Sequence, residues 1–225
     1  MKKFELTSEF ITNIFGTKLF RIKALIEFGN VKAGELGGFV EKEENLNHEG
    51  NAWVYGNAEV YGNARVYGNA SVCDDARVYG NASVYGNAWV YGNARVCDDA
   101  RVYGNASVYG NARVCGDARV YGNARVYGNA SVYGNARVCG DARVCGDARV
   151  YGNADYATVH GFGSEYRTTT FFKTKAGEIG VRCGCFYGNL SEFRKKVVET
   201  HGETKKAKEY LMLADLMEFR FSDNS

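Results

Sequence analysis

A six-residue period runs through the middle of the chain without interruption. Seventeen valines, from Val54 to Val150, stand six residues apart, each in a unit Ala-x-Val-Tyr-Gly-Asn or its variant Ala-x-Val-Cys-(Gly/Asp)-Asp. Because side chains alternate along a strand, Ala-x-Val-Tyr places alanine and valine on one face and x and tyrosine on the other. Gly-Asn suits a bend, since both residues tolerate positive φ. The period predicts a solenoid of short strands and corners with valine and alanine lining a narrow interior.

The regular body is predicted to occupy residues 48–155, and residues 1–47 are predicted to cap its open end. A cap is expected because that end would otherwise expose unpaired backbone and apolar interior. Val40 and Leu46 stand at six-residue steps before Ala52, so they are predicted at alanine positions of the repeat. The predicted elements of the cap are a short helix from Leu6 to Phe15, capped by Thr7 or Ser8, and a strand from Leu19 to Phe28.

Residues 156–225 lose the period after Tyr156, which takes the next valine position, and are predicted to form a small α+β domain. Alternating residues around Ala-Gly favour a hairpin, and capping residues followed by apolar residues at helical spacing favour helices. The predicted elements are a hairpin of Thr168 to Lys175 and Glu178 to Cys185, a helix capped by Asn189 or Ser191 and ending at Thr200, and a helix over Lys205 to Phe219.

Composition narrows the location and the partners. No apolar run approaches the length of a membrane span, and the first residues lack the pattern of a secretory signal, so a cytoplasmic protein without membrane contact is predicted. The formal charge is only +2, and the region 48–155 holds ten arginines against ten acids. Nonspecific nucleic-acid binding normally needs a basic stripe and is therefore not favoured. The seven cysteines are expected to be reduced thiols.

The units Ala-Arg-Val-Tyr-Gly-Asn resemble the hexapeptide repeat of left-handed parallel β-helix proteins, in which three hexads make one triangular coil. The segment Gly29 to Val40 resembles the N-terminal part of YdcK-like hexapeptide proteins of bacterial chromosomes and prophages. Gly180 to Phe186 and Glu199 to Gly202 resemble a small module at the ends of prophage proteins. The resemblance implies a mainly β, left-handed parallel β-helix of about six coils, with an N-terminal cap, a small α+β C-terminal domain and, by analogy, a trimeric assembly.

Several proteins of this fold are acyltransferases. The resemblance therefore makes acyl transfer an alternative function for this chain. Such enzymes typically use a catalytic histidine, a loop that leaves the coil and a neighbouring subunit. No loop interrupts the hexads here, and the body offers only His48 as a general base. A zinc-dependent carbonic anhydrase would need three clustered histidines, whereas His48 stands at the start of the body and His160 and His201 stand in the C-terminal region. A noncatalytic protein without a cofactor is therefore predicted.

One set of metal-ligating residue types stands in the C-terminal region, and it consists of His160, Cys183, Cys185 and His201. Two cysteines and two histidines could hold tetrahedral zinc. However, the spacing matches no common zinc finger, and a strand would direct Cys183 and Cys185 to one face simply through its period of two. Structural cysteines are the favoured interpretation.

Stacking residues eighteen apart predicts the outer surface of the solenoid. Stacked rings, with arginine planes over tyrosines and asparagine ladders at the corners, would stabilise the coils. Exposed aromatic columns also suit protein contacts or a flat anionic ligand such as a nucleotide. The predicted ligand or partner surface comprises Tyr67, Tyr85, Tyr103, Tyr121, Arg101, Arg119, Arg137, Trp53 and Trp89.

The predicted function is thus a noncatalytic phage or prophage-type scaffold or binding protein, whose C-terminal domain contacts a partner. The alternatives are a phage protein that sequesters an anionic nucleotide-like ligand, and an acyltransferase. Every cysteine hexad also carries aspartate where tyrosine hexads carry asparagine, which duplication of two unit types explains. Cys97 and Cys115 would be vertical neighbours, so a disulfide is conceivable under oxidation if the geometry allows it.

Overall fold

The repeat body forms a β-solenoid in a computed structural model that describes residues 1–162 and 167–222. Each hexad contributes a two-residue strand followed by a turn. The strands are β4 Trp53–Val54, β5 Glu59–Val60, β6 Arg65–Val66, β7 Ser71–Val72, β8 Arg77–Val78, β9 Ser83–Val84, β10 Trp89–Val90, β11 Arg95–Val96, β12 Arg101–Val102, β13 Ser107–Val108, β14 Arg113–Val114, β15 Arg119–Val120, β16 Arg125–Val126, β17 Ser131–Val132, β18 Arg137–Val138, β19 Arg143–Val144 and β20 Arg149–Val150.

Each strand pairs in parallel with the strand three places further along, so one coil takes eighteen residues. Val54 pairs with Val72, and Val102 lies between Val84 and Val120. One face of the solenoid contains six strands, from β4 to β19, which gives six coils. At about 4.8 Å per coil the body is roughly 29 Å long. The predicted parallel β-helix is confirmed, and its left-handed sense stays a prediction from the resemblance.

The interior contains the valines and alanines of the repeat, all of which are fully buried from Ala52 to Val150. The corners are stabilised by directional amide ladders, in which Asn87 Nδ2 donates to Asn105 Oδ1 at 3.0 Å and Asn105 donates onward to Asn123 at 3.2 Å. The predicted asparagine and aspartate ladders are therefore confirmed. Uniform coils leave the shaft with a continuous apolar interior and regular outer columns.

The backbone conformation of the corners explains why glycine precedes asparagine in most hexads. Gly86 has a φ of +71°, and a Cβ there would lie 3.0 Å from the backbone nitrogen of Gly104 in the next coil. Asp74 and Asp98 adopt the same left-handed conformation, which aspartate tolerates better than most residues. Their carboxylates accept hydrogen bonds from the backbone N–H groups of Gly92 and Gly116 in the next coil.

The N-terminal cap is built of β1 Phe4–Thr12, β2 Lys18–Ala24 and β3 Leu36–Val40, followed by a 3-10 turn at Glu43–Asn45. The first two strands form an antiparallel hairpin, and β3 pairs in parallel with β5, so the cap continues one face of the solenoid. The helix predicted from Leu6 to Phe15 is wrong. This segment forms strand β1 because it pairs along its length with β2, which a single amphipathic segment cannot reveal.

The first coil is two residues longer than the others, which corrects the predicted register of the cap. Val40 pairs with Val60, and Leu46 bridges to Val66, so both occupy the valine column and not the alanine column. Leu46 and Val54 are eight residues apart, and the two additional residues are absorbed in the corner before Trp53. The eighteen-residue offset therefore begins only with β4.

The C-terminal module is a four-stranded antiparallel sheet with two helices. A 3-10 turn at Asn153–Asp155 leads into it, and Asn189 accepts from the Glu192 N–H as the cap of the first helix, which ends at Gly202. The predicted hairpin and both predicted helices are confirmed. Its elements are β21 Tyr156–Phe162, β22 Arg167–Lys173, β23 Ile179–Cys183, β24 Phe186–Asn189, α1 Leu190–His201 and α2 Lys205–Phe221.

Strand β22 joins this module to the end of the solenoid. Phe172 is fully buried in the same apolar cluster as the last valines, and Thr170 Oγ1 accepts from the Arg143 N–H at 3.0 Å. The backbone N–H of Lys175 donates to the Asp147 carbonyl at 2.9 Å. The module therefore also covers the far end of the shaft. Within the described ranges, neither α1 nor α2 nor any shorter helical turn has the length and apolar character needed to cross a membrane.

Candidate functional site on the solenoid surface

Tyrosine rings form stacked ladders along the outer corners. In the column that begins at Tyr67, the ring centroids of Tyr67, Tyr85, Tyr103 and Tyr121 are 4.8, 4.9 and 5.0 Å apart. The ring planes differ by 1° to 4°. A flat ligand inserted between two rings would need a separation of about 7 Å. The rings therefore support one another, and a ligand can reach only their edges and the two ends of a ladder.

A row of arginines runs beside this tyrosine ladder. Arg101 pairs with Arg119, which pairs with Arg137, so three guanidinium groups lie on consecutive coils. Arg101 and Arg137 are exposed and Arg119 is half-buried. Among the described residues of the shaft, Arg77 and Glu59 form an ion pair, with 3.4 Å between Arg77 Nε and Glu59 Oε1. The predicted arginines and tyrosines thus lie side by side, and the arginines form a narrow basic strip.

The arginines do not lie over the tyrosine rings as expected. The cation–π contacts of the described residues are in the N-terminal cap, where Lys18 Nζ lies 4.5 Å from the Phe10 ring centroid and Arg21 Cζ lies 4.3 Å from that of Phe39. Within the ladders of the shaft, the next tyrosine covers the ring face, as between Tyr85 and Tyr103. The guanidinium groups consequently remain at the surface.

The two tryptophans occupy equivalent repeat positions but different environments. Trp89 is 53% exposed and remains a candidate contact residue on the shaft. Trp53 is fully buried, with ring centroids 5.4 Å from Phe28 and 6.1 Å from Phe4. The assignment of Trp53 to the ligand or partner surface is therefore wrong. The N-terminal cap folds over the first coil and covers a side chain that would otherwise point outward.

Packing of the ladders raises the pKa of several tyrosines. Burial is the largest cause for Tyr61, whose pKa is raised to about 12, with a further contribution from Tyr79. Burial likewise raises the pKa of Tyr127, which also shares a side-chain hydrogen bond with Cys145. Because the neutral phenol is favoured in the folded protein, the ladders connect stability to alkaline pH.

We expect the solenoid to lose stability as pH rises above 10. A folded pKa near 12 for Tyr61, against an ordinary value of 10, means that the stability contributed by its neutral form is complete below pH 10 and is lost as pH rises through 12. Phenolate absorbance measured against pH should show a late-titrating component that Tyr61→Phe reduces. If all sixteen tyrosines titrated together near their ordinary value, this coupling would be excluded.

Cys97 and Cys115 lie one above the other, as the eighteen-residue offset predicts, and the structure joins them in a disulfide with Cα atoms 4.6 Å apart. The carboxylate of Asp98 lies 3.6 Å from Cys97 Sγ. These three residues form the metal-type cluster found among the described residues. Because both sulfurs are in the disulfide, they are not available as thiolate ligands, and the pair crosslinks two adjacent coils. The expectation of seven reduced thiols is therefore wrong for this pair.

The candidate metal ligands in the C-terminal module are not gathered into a ligand set. Cys183 is half-buried and bonds with Thr169 Oγ1 at 3.2 Å, whereas Cys185 is exposed. The strand ends at Cys183, and Gly184 turns with a φ of +57°, so the expected common face is lost. His160 bonds with Thr168 Oγ1 on the neighbouring strand at 3.1 Å.

His201 is likewise engaged in packing, because its ring stacks on Tyr210 with a centroid distance of 5.9 Å. Among the described residues, no cluster of three potential ligands includes it or the other three candidates. The structure therefore does not bring the four candidates together as a ligand set.

His48 is held in place by the N-terminal cap. Its Nδ1 accepts the backbone N–H of Lys3 at 3.1 Å, its Nε2 lies 3.6 Å from Glu43 Oε2, and its ring stacks on Phe4 at 4.4 Å. Hydrogen bonding to Lys2 is the largest cause of the lowered pKa of Glu43, which keeps this carboxylate charged. Because Nδ1 already accepts the hydrogen bond from the Lys3 N–H, His48 holds the first strand in place and does not present a free base.

The repeat body matches the family model described as the YdcK beta solenoid repeat. The matches to this family model cover residues 58–74, 76–92, 94–110, 112–128, 118–134, 130–146 and 142–154. No curated protein matches the chain. The matched residues fall on the coils whose register and interior are described above. Residues 58–154 of this chain therefore consist of repeats that match the YdcK beta solenoid model.

Proposed function

We propose that the chain is a noncatalytic scaffold or binding protein in which the solenoid is a rigid spacer between two contact regions. The distribution of exposed apolar side chains carries this proposal. Among the described residues, the large exposed apolar ones are Met1, Phe10, Ile14, Phe15, Leu25 and Leu36 in the cap, Trp89 and Tyr151 on the shaft, and Phe162, Tyr187, Val198, Met212, Leu216 and Phe219 in the C-terminal module.

The shaft itself supports a spacer role because its side chains are used internally. Valines and alanines fill the interior, tyrosines cover one another, and asparagines bond along the corners. A solenoid with each coil paired to the next is stiff along its axis and offers a flat surface. The phage or prophage setting follows from the resemblance alone.

The C-terminal module supports the partner-contact part of the proposal. Met212, Leu216 and Phe219 lie at i, i+4 and i+7 on α2, and they are 70%, 54% and 69% exposed. Residues at this spacing share one helix face, while Leu213 and Met217 pack inward. Exposed apolar patches commonly mark protein contacts.

A homotrimer remains the proposed assembly, and light scattering that gives a monomer mass would contradict it.

A second candidate function is the sequestration of an anionic nucleotide-like ligand, favoured by the basic strip of Arg101, Arg119 and Arg137. Guanidinium groups bind phosphate well, but the closed tyrosine stack offers no gap for a base. The strip can therefore attract an anion without the stacking that would make binding strong. We place this function second for that reason.

Thermal unfolding with nucleotides separates the two functions. The scaffold proposal predicts that saturating nucleoside mono- and triphosphates leave the melting temperature of the full chain unchanged. Sequestration on the shaft predicts a rise that disappears in Arg101→Ala or Tyr103→Ala. Arg149→Ala, at another exposed shaft arginine outside this row, is the matched control. A nucleotide-dependent rise lost only in the first two variants would overturn the spacer proposal for the shaft.

A further inference from the structure

Two cysteines of the shaft, Cys97 and Cys115, stand directly above one another in adjacent coils. Among the five cysteines of the repeat, only these two are eighteen residues apart. Val96 pairs in parallel with Val114, so the cysteines that follow them leave the backbone at the same corner. Their Cα atoms are 4.6 Å apart, and both residues are buried. The spacer role does not require a stacked pair of cysteines.

The disulfide is the oxidised state of this pair. Two molecules of a small thiol reduce it: the sulfur–sulfur bond breaks, each cysteine gains one electron and one proton, and the reductant becomes a disulfide. The backbone keeps the coils paired without the crosslink. The Cys97 N–H donates to the Val114 carbonyl at 2.9 Å, and the Cys115 N–H donates to the Val132 carbonyl at 3.0 Å. The reduced sulfurs therefore stay at the spacing of adjacent coils.

This spacing suits two thiolate ligands of one zinc ion. Zinc–sulfur bonds are about 2.3 Å long and meet at nearly tetrahedral angles, so the two bound sulfurs lie about 3.8 Å apart. Adjacent strands of a sheet are about 4.8 Å apart. Cysteine side chains stacked at that spacing reach the required sulfur separation by small rotations about χ1. The backbone of the solenoid does not have to move.

A carboxylate lies beside the two sulfurs. Asp98 is 3.6 Å from Cys97 Sγ, and the ligand atoms of Cys97, Asp98 and Cys115 all lie within 4.8 Å of one another. The Gly116 N–H donates to Asp98 Oδ2 at 3.1 Å and holds the carboxylate at this corner. A carboxylate has two oxygens, so Asp98 can keep this hydrogen bond while its other oxygen binds a metal.

The charges at this corner favour a cation. Metal binding deprotonates the thiols, so the two thiolates and the Asp98 carboxylate together carry three negative charges. Arg95 and Arg113, two residues before the cysteines, are exposed and oppose part of this charge. Asp99 and Asp117, two residues after the cysteines, offset the two guanidinium groups in turn. The ligand set therefore keeps its negative charge.

We propose that the reduced chain binds one Zn²⁺ ion through Cys97, Cys115 and Asp98, with water as the fourth ligand, and that the disulfide form does not bind it. Zinc takes sulfur and oxygen ligands in a tetrahedral arrangement, which this set provides. On binding, each thiol gives its proton to solvent and forms one zinc–sulfur bond. The site goes beyond the spacer role, because a spacer needs no metal.

Calorimetric titration of the full chain with Zn²⁺ tests the site in both redox states. A phosphine reductant gives the reduced form without adding competing thiols, and counts of five and seven free thiols verify the two states. We expect the reduced chain to bind one equivalent of zinc that the disulfide form does not bind. Cd²⁺ in its place should give an ultraviolet charge-transfer band from thiolate to metal. Equal zinc binding by both forms, or no binding by either, would overturn the proposal.

Substitutions in the reduced chain then locate the site. Cys97→Ser and Cys115→Ser should each weaken zinc binding about tenfold or more. Cys73→Ser is the matched control, because Cys73 stands in the same sequence Val-Cys-Asp-Asp but has tyrosines in the coils on both sides. Asp98→Asn should also weaken binding, and Asp74→Asn is its control. Equal affinities of these two asparagine variants would contradict the carboxylate as a ligand.

Zinc bound at another place would give a different pattern. Loss of the additional equivalent in Cys73→Ser, or in the double variant Cys183→Ser and Cys185→Ser, would contradict the assignment. An unchanged circular dichroism spectrum verifies that each variant is folded. The melting temperature gives a second measurement, since zinc should raise it in the reduced chain and not in Cys97→Ser.

Discussion

Val102→Asp is expected to abolish cooperative folding of the central coils. Val102 is fully buried and lies between Val84 and Val120, so the new carboxylate would face only aliphatic side chains. An unpaired charge or an unbonded acid in such a place costs about 4 kcal/mol or more. This is a large share of the roughly 5–15 kcal/mol that stabilises a typical domain.

Arg101→Asp is the matched control for this prediction, because it places the same side chain one residue earlier on the same strand. Arg101 is exposed, so the change should stay within about 1 kcal/mol. Urea unfolding followed by circular dichroism gives both values. Equal midpoints for Val102→Asp and the unchanged chain would mean that the interior is not closed.

The second large effect is expected at Trp53, where alanine should lower the free energy of unfolding by about 3–5 kcal/mol. The indole packs between Phe4 and Phe28, so its removal leaves a cavity beneath the cap. Trp89→Ala is the matched control, since Trp89 occupies the same repeat position and is 53% exposed. We expect it to cost less than about 1 kcal/mol.

Fluorescence provides an independent measurement for the same pair, because the chain has two tryptophans. Each single variant reports the remaining indole. The Trp89→Ala protein should show blue-shifted emission protected from quenchers, and the Trp53→Ala protein should show quenchable emission at longer wavelength. Similar quenching of both tryptophans, together with similar losses of stability, would refute the buried position of Trp53.

The repeat could be predicted from sequence because its determinants are local. The period of six specifies which side chains point inward, and the corner glycines specify the turns, so Val102, Tyr103 and Asn105 take the positions expected of them. The helices α1 and α2 could likewise be predicted from sequence, since local residues such as Asn189 and Gly202 mark the ends of α1.

The fold of the cap and the burial of Trp53 could not be predicted in this way because they depend on contacts between distant segments. Burial of Trp53 requires Phe4 and Phe28 from the cap, and the strand at Phe4–Thr12 requires its partner at Lys18–Ala24. Folding of the intervening segments decides these features.

The amide ladder that runs from Asn51 to Asp141 has two chemically different ends. Asn105 donates to Asn123, and Asn123 donates to the carboxylate of Asp141 at 3.0 Å, so this run of donors ends on a group that can only accept while ionised. Asn129 likewise donates to Asp147. Aspartate in a cysteine hexad thereby sets a polarity: converting an internal asparagine such as Asn87 to aspartate would turn two acceptors toward each other and interrupt the relay at that coil.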